Sequence, residues 1–165
     1  MRNRRAQAGR AWSKYQIRVE FRAPLDFAFA WCTDFSPEDS RLEGERYQRK
    51  VIERTLRRVV FEDLEETGTG WVWSRDVVDL RPPNRWHMEG AGNRRDVVAD
   101  YLLSAFSDGR TRLDLRWRRR PRMPESKPLT KAQREASTRR AWKRFAAALE
   151  RDHRRSLQGQ HRRTK

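Results

Sequence analysis

Alternating apolar and polar residues near the start of the chain predict a β-strand. Over residues 13–22 one face carries Tyr15, Ile17, Val19 and Phe21. A period of two is the period at which strand side chains share a face. Pro24 then suits the first turn of a helix, and Asp26 favours its N-terminal dipole. A short helix is therefore expected around Phe27, Ala30 and Trp31, and a second one where Ser36-Pro37-Glu38-Asp39 offers an N-cap and a proline at N1.

Six further runs of strand-forming residues follow in succession. They are roughly 47–54, 57–65, 71–80, 85–90, 96–107 and 111–119. Turn-forming residues separate them: Thr67-Gly68-Thr69-Gly70, Arg81-Pro82-Pro83-Asn84, Gly90-Ala91-Gly92-Asn93 and Asp108-Gly109. Connections this short make neighbouring strands antiparallel, so the sequence predicts a meander with one face that needs cover.

A long amphipathic helix supplies that cover. Thr130 and Gln133 form a capping-box pattern, and no Gly or Pro then occurs before Gly159. We expect a helix from about Lys131 to Arg155. Its apolar residues Trp142, Phe145, Ala146 and Leu149 fall at i, i+3, i+4 and i+7, which makes one stripe on an otherwise Arg-rich rod.

The size and composition of the chain favour a single domain with an aromatic core. The 165 residues include seven Trp and seven Phe although 38% are charged. We expect one domain over 13–155, with flexible basic tails at 1–12 and 156–165. Cys32 is the one cysteine, which favours a reducing cytoplasm. The longest apolar run, Phe27 to Cys32, is too short to span a bilayer.

The net charge of +16 lies mostly at the two ends of the chain. Residues 106–165 hold 20 basic and six acidic residues, whereas residues 15–105 hold 14 basic and 17 acidic. Basic end segments are typical of proteins that bind nucleic acid or an anionic membrane. The alternative is compositional, because 33 of the 39 basic residues are scattered Arg and no aromatic residues alternate with the basic residues of the tails as a base-stacking platform needs. The compositional interpretation is favoured.

Most of the strands have an unambiguous inner face, but one does not. Val97, Ala99, Tyr101, Leu103 and Ala105 share a face, as do Leu113, Leu115 and Trp117, and so do Trp86 and Met88. Over 71–80, Trp71, Trp73 and Val77 share their face with Arg75, while Val72 and Val78 share theirs with Asp76. Either orientation puts a charge inward unless a bulge changes the alternation. Arg75 is then either a polar anchor for a ligand or a solvated residue at the rim.

Individual polar residues give weaker signals. A buried Tyr101 would hydrogen-bond either a ligand or the backbone. His87 is best interpreted as a solvated residue on a strand face, and Cys32 as a small core residue rather than a nucleophile. The spacing of Cys and His fits no metal site, no phosphate-binding loop or nucleophile elbow is present, and no cofactor is expected.

The sequence resembles the START-like superfamily, also called SRPBCC or helix-grip proteins, which includes polyketide cyclase and lipid-transfer branches. The resemblance lies in YQIRVEFRAPLDFAFAWCTDF, VVDLRPPNRWHMEG, YLLSAFSDGRTRLDLRW and AWKRFAAALERD, and it covers about residues 13–155. It implies an α+β helix-grip fold, in which a curved seven-stranded antiparallel sheet wraps a long C-terminal helix, with two short helices after the first strand. A cavity for an apolar or amphipathic ligand is implied between sheet and helix.

Three functions are compatible with that resemblance. The favoured one is binding or transport of a small hydrophobic ligand such as a lipid, quinone or polyketide-like molecule. The alternatives are a polyketide cyclase or aromatase-like enzyme, and docking of the basic ends on RNA, ribosome or anionic membrane. The oligomeric state is left open. The residues expected to line the cavity are Trp31, Phe61, Trp73, Arg75, Trp86, Met88, Tyr101, Leu103, Leu115, Trp117, Trp142, Phe145 and Leu149.

Overall fold

A seven-stranded antiparallel sheet curves around one long helix in the computed structural model, which describes residues 11–163 and their side chains as far as Gly159. The strands are β1 Ser13–Phe21, β2 Gln48–Arg54, β3 Arg58–Thr67, β4 Gly70–Arg81, β5 Arg85–Gly92, β6 Arg95–Ala105 and β7 Thr111–Pro121. Their order in the sheet is β1-β7-β6-β5-β4-β3-β2, so that β2 to β7 form a meander and β1 closes onto β7. The predicted helix-grip fold is confirmed.

Two short helices and one long one complete the fold. Helix α1 is Leu25–Cys32, α2 is Asp39–Glu43 and α3 is Lys131–Arg163. The predicted cap of α3 is present, since the Thr130 amide donates to Gln133 Oε1 at 2.9 Å and the Gln133 amide donates to Thr130 Oγ1 at 3.2 Å. Helix α2 begins later than Ser36-Pro37 predicts, because Ser36 Oγ accepts from the Glu38 amide in a turn that precedes it.

Helix α3 is longer than expected, and one residue of the expected N-terminal tail packs against the sheet. Helix α3 continues beyond Arg155 to Arg163, because the polar residues after Arg155 include no proline that would stop it. Trp12, placed in the N-terminal tail by the sequence, lies against the guanidinium carbons of Arg118 and Arg120 at 4.9 and 5.0 Å. The rest of that predicted tail, residues 1–10, lies outside the described residues, as do residues 164 and 165. Within residues 11–163, no helix has both the length and the apolar character needed to cross a membrane.

The β6–β7 connection is longer than the two-residue turn expected from Asp108-Gly109. The Phe106 amide donates to the Arg110 carbonyl oxygen at 2.8 Å, which leaves three residues between them. Gly109 adopts a φ of +81°, the left-handed conformation that a three-residue hairpin loop needs at this position. The strands remain antiparallel, so the topology is unaffected.

The inner face of the sheet forms the core with α1 and α3. Phe21, Leu103 and Leu113 are fully buried on the sheet side, and Leu149 is fully buried on α3. The register also settles the ambiguity in β4. Asp76 pairs with Phe61 and is buried, whereas Arg75 pairs with Glu62 on the outer face. The charge that turns inward is therefore the carboxylate of Asp76.

Candidate functional site

A cavity of about 320 Å³ lies between the inner face of the sheet and the helices. Strands β2 to β6 provide most of its wall, and α1, α2 and α3 each contribute residues. Its volume is at the lower end of the range for small-molecule sites, which is roughly 300–1,000 Å³. The space suits a ligand of one or two rings better than a long lipid.

A ladder of aromatic rings forms the apolar side of the cavity. Trp86 stacks on Tyr101 with ring centroids 4.6 Å apart and an interplanar angle of 11°. Tyr101 contacts Trp142 at 6.1 Å, and Trp142 contacts Phe145 at 5.2 Å. The Tyr101 hydroxyl makes no hydrogen bond with any residue of the described chain, and burial raises its pKa. This side offers flat apolar surface and one unused hydroxyl group.

A different chemistry, centred on Arg49, occupies the α2 end of the cavity. Its guanidinium group donates to Asp63 through Nε and Nη2, both at 2.8 Å, and to Asp39 at 2.6 Å. Nη2 also donates to the Tyr47 hydroxyl at 3.1 Å, and the guanidinium carbon lies 4.0 Å from the centroid of the Phe61 ring. The Arg49 side chain is only 5% exposed, and protein groups accept hydrogen bonds from four of its five N–H donors.

Asp76 is the most deeply buried carboxylate of the site. It is 8% exposed, and its Oδ2 accepts a hydrogen bond from Ser74 Oγ at 2.8 Å. Its Oδ1 accepts none from the described residues and lies over Gly90, where an added Cβ would overlap it. Burial raises the pKa of Asp76 to about 6, although the hydrogen bond from Ser74 opposes the shift. Gly90 thus creates the space that the carboxylate occupies.

The carboxyl groups of α2 are shifted in the same direction. Burial raises the pKa of Glu43 to about 7 and that of Asp39 to about 6, and Arg49 opposes both shifts. Glu43 is exposed to solvent, but the protein atoms around its carboxyl group are dense enough to desolvate it. This combination is typical of a group that faces a cavity. Groups that titrate near neutral pH can exchange protons with a bound molecule.

Two further arginines, Arg94 and Arg95, line the cavity at the start of β6. Neither side chain makes a hydrogen bond or an ion pair with another residue in the range 11–159. Desolvation, followed by the neighbouring Arg119, lowers the pKa of Arg95, while Glu45, Glu43 and Asp76 oppose the change. Among the described residues, these arginines are the unpaired basic groups of the site, in contrast to Arg49.

Seven of the residues expected to line the cavity do so: Phe61, Trp73, Trp86, Met88, Tyr101, Trp142 and Phe145. Six others lie elsewhere. Leu103, Leu115 and Leu149 are buried in the core below the cavity, where the sheet and α3 are in contact. Trp117 stacks on Tyr15 at 5.2 Å.

Trp31 and Arg75 are held outside the cavity by polar partners. The Trp31 indole nitrogen donates to Asp152 Oδ2 on α3 at 3.0 Å. Arg75 Nε donates to Glu62 Oε1 at 2.9 Å on the outer face, where the Arg75 side chain is 58% exposed. The idea that Arg75 anchors a ligand in the cavity is therefore wrong, because the alternation of β4 turns Asp76 inward in its place.

The remaining candidate groups behave as structural residues. His87 lies on the outer face, with Nδ1 2.7 Å from Asp100 Oδ1 and Nε2 3.3 Å from Glu89 Oε1. Cys32 touches the cavity, but burial and the nearby Asp34 raise the pKa of its thiol, which disfavours the nucleophilic thiolate. Among the residues that the structure describes, no group of His, Cys, Asp and Glu side chains could hold a metal ion.

Sequence reasoning missed the polar end of the cavity. Asp39, Glu43, Tyr47 and Arg49 are within eleven residues of each other, but nothing in that segment marks a buried site. For Asp76 a signal existed. Gly90 and Gly92 share the inner face of β5, directly opposite Asp76 and Ser74, and glycines at such positions mark a close approach of neighbouring groups.

Solved structures show what this arrangement is similar to, whereas no family model and no curated protein matches the sequence. An aromatase/cyclase, ZhuI from Streptomyces sp. R1128, is 14% identical with a TM-score of 0.64, over 89% of this chain and 96% of that one. A START superfamily protein from Mycobacterium smegmatis is 12% identical with a TM-score of 0.66, over 84% and 97%. The protein TTHA0849 from Thermus thermophilus is 12% identical with a TM-score of 0.66, over 83% and 97%. The chain thus has the START-like, or SRPBCC, helix-grip fold.

Proposed function

We propose that the protein binds a small apolar or amphipathic molecule in the cavity between its sheet and α3. The observation that carries the proposal is the aromatic ladder of Trp86, Tyr101, Trp142 and Phe145 beside 320 Å³ of open space. Transfer of an apolar molecule from water onto such a surface is favourable by about 25 cal/mol for each Å² buried. Enclosure on several sides buries most of a ligand's area.

The comparisons support the same proposal at a coarser level. Structures with this fold include a START superfamily protein and an aromatase/cyclase. The single cysteine favours a reducing compartment, so we place the protein in the cytoplasm, and the proposed binding requires no cofactor. Docking of its basic surface on RNA or anionic membrane remains the less favoured alternative.

A matched pair of variants on one strand tests the cavity as the binding site. Val97 lines the cavity, whereas Val98, the next residue of β6, does not. Val97→Phe fills open space, and Val98→Phe adds the same bulk elsewhere. With 2-(1-naphthyl)ethanol as probe in titration calorimetry, we expect one-to-one binding to the parent protein and to Val98→Phe. Val97→Phe should weaken it about tenfold or more. Equal affinity for the two variants would refute the proposal.

An acid–base enzyme of the cyclase/aromatase kind is a second candidate. The specific observation in its favour is that Glu43, Asp39 and Asp76 have pKa values raised to about 7, 6 and 6 beside a cavity that also holds Ser74 and Tyr101. Cyclisation with loss of water needs groups that take up and release protons near neutral pH.

Glu43→Gln separates the two candidates. If the protein is such an enzyme, turnover of a linear poly-β-ketone mimic should fall by roughly 10²–10⁴-fold with binding of the mimic retained. If it is a carrier only, the mimic is released unchanged from the parent protein and the variant alike. The readout is product formation by mass spectrometry, run together with the binding measurement.

A further inference from the structure

The charge of the cavity is opposite to the charge of the protein. Six acidic and three basic residues line it, in a chain whose net charge is +16. The acidic residues are Asp39, Glu43, Glu45, Asp63, Glu65 and Asp76.

Arg49 does not offset the remaining negative charge. Its hydrogen bonds to Asp39, Asp63 and Tyr47 use its donors on groups that already belong to the site. Its single positive charge is shared between two carboxylates, and four of its five N–H donors are already used by the protein. Arg49 and the Tyr47 hydroxyl group lower the pKa of Glu43, whereas Asp76 has no ion-pair partner in the part of the chain that the structure describes.

Asp76 is the independent sign that a ligand completes the site. A carboxylate that is only 8% exposed normally has a cationic partner or several donors, and Asp76 has the hydroxyl of Ser74 alone within hydrogen-bond distance among the described residues. Its free oxygen, Oδ1, lies over Gly90, which also lines the cavity. Arg95 is close enough to influence Asp76 electrostatically but makes no ion pair with it within 4 Å.

The opposite wall suits a cation equally well. The face of an aromatic ring carries partial negative charge and attracts a cation within about 6 Å of its centroid. Tyr101 and Trp142 present such rings on the cavity wall, with Trp86 stacked against Tyr101 and 3% exposed. The described residues offer no metal-binding group, so a metal ion is not the cation.

We infer that the cavity is selective for an organic cation, a protonated amine carried on an aromatic or alicyclic body, with Asp76 as its main anionic contact. This inference rests on the proposed function and narrows it. The apolar body would lie on the ring ladder, and the ammonium group would donate hydrogen bonds to Asp76 Oδ1 and to the other carboxylates at the α2 end. An anionic ligand would instead have to use Arg94 and Arg95.

Three probes of similar size distinguish these possibilities. They are 2-(1-naphthyl)ethylamine, 2-(1-naphthyl)ethanol and the anion of 1-naphthylacetic acid, titrated calorimetrically into the full chain at pH 8. A hydrogen bond to a charged group contributes about 1.5–3 kcal/mol, so we expect the amine to bind roughly tenfold or more tightly than the alcohol, and the carboxylate to bind most weakly. Asp76→Asn should abolish the difference between amine and alcohol, because it should weaken binding of the amine by a larger factor than binding of the alcohol.

The outcomes are separable from those of the proposed function. Binding of the alcohol without any preference for the amine would overturn the inference and leave the cavity as a ligand site. Tightest binding of the carboxylate would also overturn it and identify Arg94 and Arg95 as the anchor. Failure of all three probes would contradict both proposals. Glu43→Gln provides a second variant, expected to reduce the preference for the amine by a smaller factor, and circular dichroism confirms that each variant is folded.

Discussion

The two faces of the same sheet use charged residues in opposite ways. On the outer face, several cations and carboxylates form exposed pairs between neighbouring strands, such as Arg18 with Asp114 at 2.8 Å and Arg58 with Asp79 at 2.9 Å, and the buried Asp96 is paired with Arg120 and Arg122. At the cavity on the inner face, acidic residues outnumber basic ones, and Asp76 is buried. The exposed outer pairs contribute little individually, about 0–1 kcal/mol each. The inner charges are costly to bury, and Asp76 in particular lacks a cationic partner within ion-pair distance among the described residues.

The largest contrast is expected from removing an arginine on each side. Arg49→Leu leaves Asp39 and Asp63 enclosed without their cation, which should lower the free energy of unfolding by about 3–5 kcal/mol. Arg75→Leu removes a 58% exposed side chain from its pair with Glu62 and should cost about 1 kcal/mol or less. Urea denaturation at pH 7 measures both. Equal losses would mean that the two faces do not differ in this respect.

The next effect depends on pH and has the opposite sign. Because the pKa of Asp76 is raised to about 6 in the folded protein, folding favours its protonated form. Its contribution to stability is complete below the unfolded pKa and is lost as pH rises through about 6. Asp76→Asn should therefore stabilise the protein by about 2–3 kcal/mol at pH 8 and have almost no effect at pH 4.

The control for this variant is Asp79→Asn on the outer face of the same strand. Asp79 is 41% exposed and paired with Arg58, so its loss should change stability by about 1 kcal/mol or less at either pH. Thermal unfolding of both variants across pH 4–8 gives the comparison. Destabilisation by Asp76→Asn at pH 8 would show that its carboxylate has a favourable partner already.

The third effect concerns the space in which Asp76 lies. In Gly90→Ala the new Cβ would overlap Asp76 Oδ1, so the carboxylate or the strand must move, at a cost of about 1–3 kcal/mol. Gly68→Ala, in the β3–β4 turn, meets no atom within 4 Å and should change stability by less than about 0.5 kcal/mol. Equal free energies of unfolding for the two variants in chemical denaturation would show that Asp76 does not need the space beside Gly90.

The smallest effect is on the outer face. Desolvation lowers the pKa of His87, but its hydrogen bonds with Asp100 and Glu89 outweigh that effect, so the pKa is raised. The resulting stabilisation is complete below the unfolded pKa of about 6.5 and disappears as pH rises through the folded value. His87→Gln should therefore cost up to about 1 kcal/mol at pH 5.5 and nothing measurable at pH 9. A loss that persisted at pH 9 would indicate packing instead of charge.

The apolar wall and the acidic end of the cavity differed in how well the sequence predicted them. Period-two alternation in β1, β6 and β7 and the stripe on α3 predicted which residues pack in the core, because burial of apolar area depends on a repeating local pattern. The aromatic side of the cavity followed from the same pattern, since Trp86, Tyr101 and Trp142 lie on those faces. Local periodicity was enough for the shape and for the apolar wall.

The acidic end could not be obtained in this way. In β4, Arg75 and Asp76 are adjacent residues of opposite charge. Which of them turns inward depends on Glu62, which pairs with Arg75 on the outer face, and on Gly90, which leaves space for Asp76 on the inner face. The environment of Glu43 depends on where α2 folds relative to Arg49 and Tyr47. These are contacts between segments, which the periodicity of a single segment does not encode.

The seven tryptophan indole N–H resonances provide the most direct test of the account, in one ¹H–¹⁵N spectrum recorded during titration with 2-(1-naphthyl)ethanol. Trp86 and Trp142 line the cavity, whereas Trp71 is 57% exposed and Trp12 lies beside arginines of β7. Assignment uses single Trp→Phe variants. We predict saturable shifts of the Trp86 and Trp142 resonances, with those of Trp71 and Trp12 unchanged. Shifts of Trp71 and Trp12, with Trp86 and Trp142 unaffected, would place binding on the outer face and contradict the account.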